Sequence, residues 1–506
     1  MSGQLVRNTV SGSLGGAAST FSSFVSAILV AQLLGPEGAG AITYALWCIA
    51  IATTIADLGL GIVLQRFVAD LAARGKQLEA ERLVGTAARL RLLSIVFAAA
   101  ACYLALRLGI SGSEAAAVLG QPLLLALVVV SVAVQSLSSL YSAFLKGRQW
   151  FGRLAAHTLV AAALQVVVVG LGAWQGGVPG ALAGYAVAVS AMAVCGLQLL
   201  RFGAGLTVAL RRKIVRFALI SWSAGLVGGL VASRVEILFL ESYVDLRAVG
   251  LFAAATSLAS LATTVPTLLT SALLAYFSQQ HGLGNHAQMA AVYRTAVLTV
   301  ALLALPACFG MAAITSVLVP LLFGTAFAEA AVAATILLAP AAVYVLGAPN
   351  SNLIYGSGRS GILLASSLAG LATTVLLSLL LIPRLGLIGA ACARAAMQFL
   401  TVTIETGYVG FRLGITPPWS GLARVTLAAA AAGAAAFGLI SAVGGLTGLT
   451  LAVPTGVLVY LFALRWSGAP AQLDSAVLDR AAAASPLFMT SIVRFLYPGW
   501  RSAASG

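Results

Sequence analysis

Fourteen apolar runs, each long enough to cross a bilayer and nearly free of charge, limit this chain more than any other feature. They fall at residues 9–34, 38–65, 87–110, 122–145, 154–174, 178–201, 217–242, 248–279, 291–320, 329–356, 360–382, 386–411, 420–443 and 445–466. A hydrocarbon core about 30 Å thick takes about 20 residues of helix. In that core a backbone must satisfy its own hydrogen bonds, so the runs are helices. Only 8% of the 506 residues are charged, against about 25% in soluble domains. The expected fold class is therefore an all-α polytopic membrane protein of about 14 transmembrane helices.

The basic residues set an orientation. With the N-terminus inside, 23 of the 28 Lys and Arg residues fall in cytoplasmic segments, chiefly around residues 66–91, 146–153 and 201–216. Arg107, Arg247 and Arg384 fall outside, and Arg234 and Arg394 lie within runs. Cytoplasmic loops carry such an excess of basic residues, which predicts an N-in, C-in topology. The formal net charge of +15 is then a matter of insertion and anionic lipid, not of nucleic acid. The first run is too long for a signal-peptide core and is taken as the first span. Cys48, Cys102, Cys195, Cys308 and Cys392 are scattered singly, and His157, His281 and His286 have no metal-ligand spacing, so neither metal nor cofactor is expected. The loop at 66–86 reads as an amphipathic cytoplasmic connector. The tail 467–506 carries weak amphipathic patches and is expected on the membrane surface.

The chain repeats itself. Shifted by 210 residues, "SGSLGG" (11–16) falls on "SWSAGL" (221–226), Val25 on Val235, and Gly40 on Gly250. Shifted by 209, Thr86-Ala87 falls on Thr295-Ala296, Gly147 on Gly356, and Gly180-Ala181 on Gly389-Ala390. Runs 1–6 thus pair with runs 7–12, and because six is even the two halves share one orientation. The expected organisation is an N-lobe (1–216), a C-lobe (217–412), two further helices (413–466) and the tail, with a central cavity between parallel-repeat six-helix lobes.

Ionisable groups at bilayer depth are costly and mark wet cavities or partners. Arg234, in "LVASRVEILFLESY", lies about 12 Å from the outer end of its run. On a continuous helix it shares a face with Glu241, while Glu236 points away. Arg394, Gln398, Thr401 and Glu405 form one stripe, as do Gln135, Ser138, Ser139, Ser142 and Lys146. Further hydroxyl stripes occupy runs 1 and 8 (Ser19, Ser22, Ser23, Ser26; Thr256, Ser260, Thr263, Thr267, Thr270). The arginines suit an anion such as phosphate, and hydroxyls and amides suit a sugar. Interhelical hydrogen bonding explains hydroxyl stripes equally, and Arg234 with Glu236 or Glu241 could be a structural pair. Asp57, in "IADLGLG", is a candidate proton or cation site, or a partner for a cytoplasmic arginine such as Arg66. No large loop could hold a catalytic domain, and no phosphate-binding GxxxxGK[ST] loop occurs, so an enzyme is not expected.

Three segments carry a family resemblance: "AQLLGPEGAGAITYAL" with "IADLGLGIVLQRFVAD" (31–46, 55–70), "RVEILFLESYVDLRAVGLFAAATSL" (234–258) and "IPRLGLIGAACARA" (382–395). They resemble the polysaccharide-export flippases, the Wzx-like branch of the multidrug/oligosaccharidyl-lipid/polysaccharide (MOP) exporter superfamily. The resemblance spans most of residues 1–412. It implies two six-helix lobes in a V around a hydrophilic cavity, in a multi-pass protein of the bacterial cytoplasmic membrane. It implies translocation of a polyprenyl-pyrophosphate-linked oligosaccharide by alternating access, by a monomer working beside polysaccharide polymerase or export machinery. Arg234 and Arg394 would hold the pyrophosphate. The departure is a cavity with few basic positions: the repeat-mate of Arg234 is Phe24. The alternative within the superfamily is a cation-coupled small-molecule exporter, for which Asp57, Glu236 and Glu405 are available.

Overall fold

The computed structural model describes residues 2–107, 118–203, 205–232, 234–270 and 273–468; the expected surface tail lies outside them beyond residue 468. Those residues form α1 (Ser2–Asp57), α2 (Leu60–Val63), a π-helical turn (Leu64–Val68), α3 (Ala69–Ala73), α4 (Gln77–Arg107), α5 (Pro122–Gly147) and α6 (Phe151–Gln198). There follow α7 (Val208–Ala232), α8 (Glu236–Tyr243), α9 (Leu246–Leu269), α10 (Leu273–Gly282), α11 (His286–Phe323), α12 (Ala330–Leu346), α13 (Ala348–Gly356), α14 (Gly361–Leu413), α15 (Trp419–Val443) and α16 (Gly445–Ser467). Among the described residues 10 helices are long and apolar enough to cross a membrane.

Three of those helices each absorb two of the expected runs. Gly35 (φ 69°, ψ −175°), Gly177 (φ 59°, ψ −141°) and Gly386 (φ 54°, ψ −126°) break α1, α6 and α14. Only glycine reaches that backbone region without strain. The breaks fall where the expected runs end and restart, at 34/38, 174/178 and 382/386. Four expected runs, one of those in α1 among them, are interrupted. The run at 38–65 stops at Asp57, because Leu58 (φ 48°) and Gly59 (φ 72°) are left-handed. The run at 217–242 is broken at Arg234 (φ 60°). The run at 248–279 divides between α9 and α10, and that at 329–356 divides at Gly347.

By backbone proximity the chain forms two units. One comprises the N-terminus to Ser257, Leu322–Ala330 and Gly370–Ala393; the other comprises Leu258–Leu321, Ala331–Ala369 and Arg394 onward. Each has a core cluster, and the two clusters are copies. The second buries Phe277, Met289, Tyr293, Val297, Leu353, Ile354, Leu363, Val409 and Ile415. Moved back 209 residues, each falls on a member of the first cluster or on a side chain packed against it, as Phe277 on Val68, Tyr293 on Val84 and Leu353 on Phe144. The close approaches repeat too. A Cβ on Gly147 would sit 2.5 Å from Leu64 O and 3.2 Å from Val68 Cβ, and one on its mate Gly356 would sit 2.7 Å from Phe277 Cβ. In the hairpins, Gly180 faces Gly172 O as Gly389 faces Leu381 O. Absent side chains at these positions let helix backbones touch, as membrane packing favours.

Candidate functional site

In the first unit, the end of α1 and one face of α5 enclose a polar cavity of about 430 Å³. The left-handed pair at Leu58 and Gly59 ends α1 and leaves Asp57 at the wall. Gly59 is required twice, since its φ is positive and an added Cβ would strike Ala218 O. The π turn that follows carries Gln65 to the same wall; such insertions recur at functional sites. Opposite, α5 presents Gln135, Ser138, Ser139, Ser142 and Lys146, spaced to lie on one side of a helix. Gly147 lets the end of α5 lie against Leu64. The stripe foreseen on this run thus faces a cavity, and Asp57 and Gln135 meet in it.

Asp57 is ion-paired with Arg91 of α4. The Arg91 side chain is 0% exposed and that of Asp57 is 32% exposed. Arg91 Nε and Nη1 have no hydrogen-bond partner among the described residues, so the guanidinium relies on this carboxylate. One turn later, Ser94 Oγ donates to Ala56 O at 2.7 Å, pinning α4 to the end of α1. Arg66 is placed elsewhere, with its guanidinium 4.5 Å from the Phe217 ring centroid. Sequence reasoning placed Arg91 with the cytoplasmic basic set. Its position four residues inside the 87–110 run was the available signal. With Asp57 compensated by Arg91, Lys146 leaves the wall with a net positive charge. Hydroxyls, amides and an ammonium on one surface can take an anionic, hydroxyl-rich group.

Arg234 and Glu236 lie at another break in the same unit. Arg234 is half-buried in left-handed backbone, an uncommon conformation for a bulky side chain. Because the helix does not run through it, the facing expected from a continuous helix does not apply. Beyond the break α8 buries Glu236 and Glu241 together with Ile237 and Leu240.

In the second unit, Arg394, Gln398, Thr401 and Glu405 all lie on α14, Arg394 half-buried and the others buried. Glu405 accepts hydrogen bonds from Ser351 Oγ (2.6 Å) and Ser366 Oγ (3.2 Å). Beside it, Tyr293 Oη donates to Asn350 Oδ1 (2.6 Å) and Asn350 Nδ2 donates to Thr406 Oγ1 (2.8 Å). This network ties α11, α13 and α14 together and supplies what a buried carboxylate needs. Gln398 Oε1 is buried without a partner among the described residues. Asn350 was missed, although "APNSN" is a polar cluster inside an apolar run. The hydroxyl stripe of run 8 bonds to its own backbone: Thr263 donates to Ala259 O, Thr267 to Thr263 O and Thr270 to Thr267 O.

The sequence matches the family described as polysaccharide biosynthesis protein over residues 5–281. No curated protein matches it. Among solved structures, lipid II flippase MurJ in an inward closed conformation is similar at TM-score 0.73 and 12% identity, over 90% of this chain and 98% of that one. An inward-facing multidrug resistance MATE family transporter of the MOP superfamily is similar at TM-score 0.65 and 17% identity, over 78% of this chain and 94% of that one. A MOP superfamily transporter from Pyrococcus furiosus is similar at TM-score 0.58 and 17% identity, over 81% and 95%. At these identities the structural likenesses describe the fold.

Proposed function

Because this chain belongs to the polysaccharide biosynthesis protein family and has the fold of a MOP-superfamily transporter, we propose that it is a flippase. It moves a polyprenyl-pyrophosphate-linked oligosaccharide across the bacterial cytoplasmic membrane by alternating access. The observation that carries this reading is the family match, which spans the whole polar cavity from Asp57 to Lys146. The chemistry of the wall agrees with it: Gln65, Gln135 and three serines suit sugar hydroxyls, and Lys146 suits a phosphate. Arg234 and Arg394 are further phosphate ligands in this reading.

A cation-coupled small-molecule exporter is the second reading, favoured by the MATE likeness and by a carboxylate at the cavity wall. The Arg91 guanidinium weakens it, since it already neutralises Asp57.

Both readings are tested on purified protein in liposomes. A fluorescent polyprenyl-pyrophosphate oligosaccharide in the outer leaflet becomes protected from a membrane-impermeant quencher as it is moved. Lys146→Met and Arg394→Ala are each expected to slow protection. Losing one charge-assisted contact costs about 1.5–3 kcal/mol, or about ten- to a hundredfold in rate. No protection by the native chain, together with proton- or sodium-driven uptake of a lipophilic cation, would replace the flippase with the exporter.

A further inference from the structure

Two features of the first unit lie apart from the polar cavity. One is an apolar cavity of about 640 Å³ walled by α1, α4 and α8, with no charged side chain in its lining. The other is the start of α7, where charge is concentrated. Arg211, Arg212, Lys213 and Arg216 follow closely on one another, and all four are exposed. No acidic residue occurs between Glu114 and Glu236, so the chain around them supplies no local counter-charge. The connector at 66–86 is built differently, since there Arg74 pairs with Asp70 and Lys76 with Glu79.

The fold holds this segment by one side only. Leu210, Ile214, Phe217 and Ala218 belong to the first core cluster or pack against it. The linker before them is tied to α4: Arg89 donates to Phe202 O at 3.1 Å and to Leu200 O at 3.3 Å, and Gly205 N donates to Thr86 Oγ1 at 3.3 Å. The other side faces outward. Val208, Val215 and Leu219 are exposed there, within about 40° of one another at 3.6 residues per turn. By the same spacing Arg211 flanks this apolar stripe on one edge, and Arg212 and Arg216 flank it on the other. These three guanidiniums form no ion pair among the described residues. Two more cations stand beside them, for Lys213 Nζ and the Arg66 guanidinium lie 5.8 Å and 5.6 Å from the Phe67 ring centroid.

Cations at this density repel one another and call for an anion. The valines and leucine between them call for apolar cover. A soluble anion answers only the first need, and a neutral lipid only the second. The headgroup layer of an anionic membrane answers both, because arginine stems lie along apolar surface while their heads reach phosphate. Position agrees with this. After Arg216 the rest of α7 (217–232) carries no charged residue, so the helix passes from basic to apolar as a chain does on entering a bilayer. Nor does a helix that leaves a repeat require such charge: α15, which follows the second repeat, has Arg424 alone in the matching stretch 417–425. We propose that the start of α7 binds the phosphates of anionic phospholipids of the inner leaflet, and so holds the linker between the two repeats at the membrane surface. This surface acts whatever the protein carries.

The test uses the purified full-length chain in neutral detergent, titrated with phosphatidylglycerol or with phosphatidylcholine of the same acyl chains. Native mass spectrometry reads the Kd of the first lipid retained. A surface cation contributes about fivefold to affinity for an anionic membrane. The triple variant Arg211→Gln, Arg212→Gln, Arg216→Gln should therefore weaken phosphatidylglycerol at least about tenfold and leave phosphatidylcholine unchanged. A second triple variant, Arg74→Gln, Lys76→Gln, Arg412→Gln, removes the same number of charges elsewhere and should bind phosphatidylglycerol as the native chain does. Val208→Ser keeps every charge and should weaken both lipids. The three arginines are exposed, so the melting temperature of the first triple variant in phosphatidylcholine should match the native value. If that variant is not recovered, Arg212→Gln alone gives the same reading at about fivefold. Equal retention of the two lipids by the native chain would overturn the proposal, and so would equal weakening by the two triple variants. Displacement of phosphatidylglycerol by inorganic phosphate or by polyglutamate at the same concentration would overturn it too, and would assign the patch to a soluble anion or to an acidic protein.

Discussion

Asp57→Asn is expected to reduce the folded protein recovered from membranes severalfold and to lower its melting temperature. The substitution is nearly isosteric, so packing hardly changes. What it removes is the one side-chain partner, among the described residues, of a guanidinium with no exposed surface, two of whose nitrogens bond to nothing among those residues. Breaking a buried pair from one side costs about 3–5 kcal/mol, because the other charge stays buried. Removing both charges is far cheaper, since apolar replacements of similar volume leave nothing to compensate. Asp57→Leu with Arg91→Met should therefore restore yield and melting temperature to near the native values. Translocation should stay low in that double variant, because its cavity has lost a polar wall. Thermal unfolding followed by size exclusion in detergent decides it. An Asp57→Asn protein as stable as the native chain would show that the pair does not hold α4 to the end of α1.

Gly40→Ala is expected to be the most damaging single methyl added to this chain. A Cβ at Gly40 would run into Leu246 O, and one at Gly250 would run into Pro36 O. Gly40 and Gly250 are repeat-mates, as are Pro36 and Leu246, so the repeat maps each half of this contact onto the other. Both obstacles are helix backbone, which cannot rotate away as a side chain can. Relief requires α1 and α9 to separate along their length. Overpacking costs about 1–3 kcal/mol where side chains can adjust and more where they cannot, so a loss of at least about 3 kcal/mol is expected. Gly250→Ala should behave the same way. Gly438→Ala, inside α15 with open space around its Cα, should be neutral. Recovery of folded protein for the three variants checks this. Near-native recovery of Gly40→Ala would mean that the helices are not in backbone contact there.

Much of the fold was readable beforehand because partition into a bilayer is local. Whether residues 122–145 enter oil depends on their own side chains, and α5 spans Pro122–Gly147. The glycine breaks at 35, 177 and 386 were bracketed because each run is limited by bilayer thickness and the chain must turn. The repeat was visible in a handful of matched glycines, since a glycine where two backbones touch tolerates nothing larger. The core clusters then extended that register to side chains with no identity in common, such as Phe277 and Val68. What conserves them is burial, which a residue-by-residue comparison cannot see.

The site was less legible. Gln135 and Lys146 could be placed on one stripe because helical spacing settles which side chains share a face. That the stripe looks at Asp57 could not be read, because it depends on how α5 lies against α1. Arg91 was assigned to the loops for the same reason. An arginine near the end of an apolar run can reach water or turn inward, and only the Asp57 carboxylate opposite makes inward the better choice. Arg234 was placed on a helix because apolar sequence continues on both sides of it, and nothing in that pattern announces a left-handed residue.

By itself, then, the sequence determined that this chain enters a membrane as apolar helices, that its first twelve runs are two copies of one plan, and where three of its turns must fall. Those outcomes come from the preference of each segment for oil and from the conformational freedom of glycine, which need no neighbours. The tertiary structure alone decided that Arg91 answers Asp57, that α8 breaks away to wall an apolar cavity, and that the stripe on α5 faces a polar cavity at the end of α1. Such pairings are settled by which helix faces touch, and contact energy is shared between segments far apart in the chain.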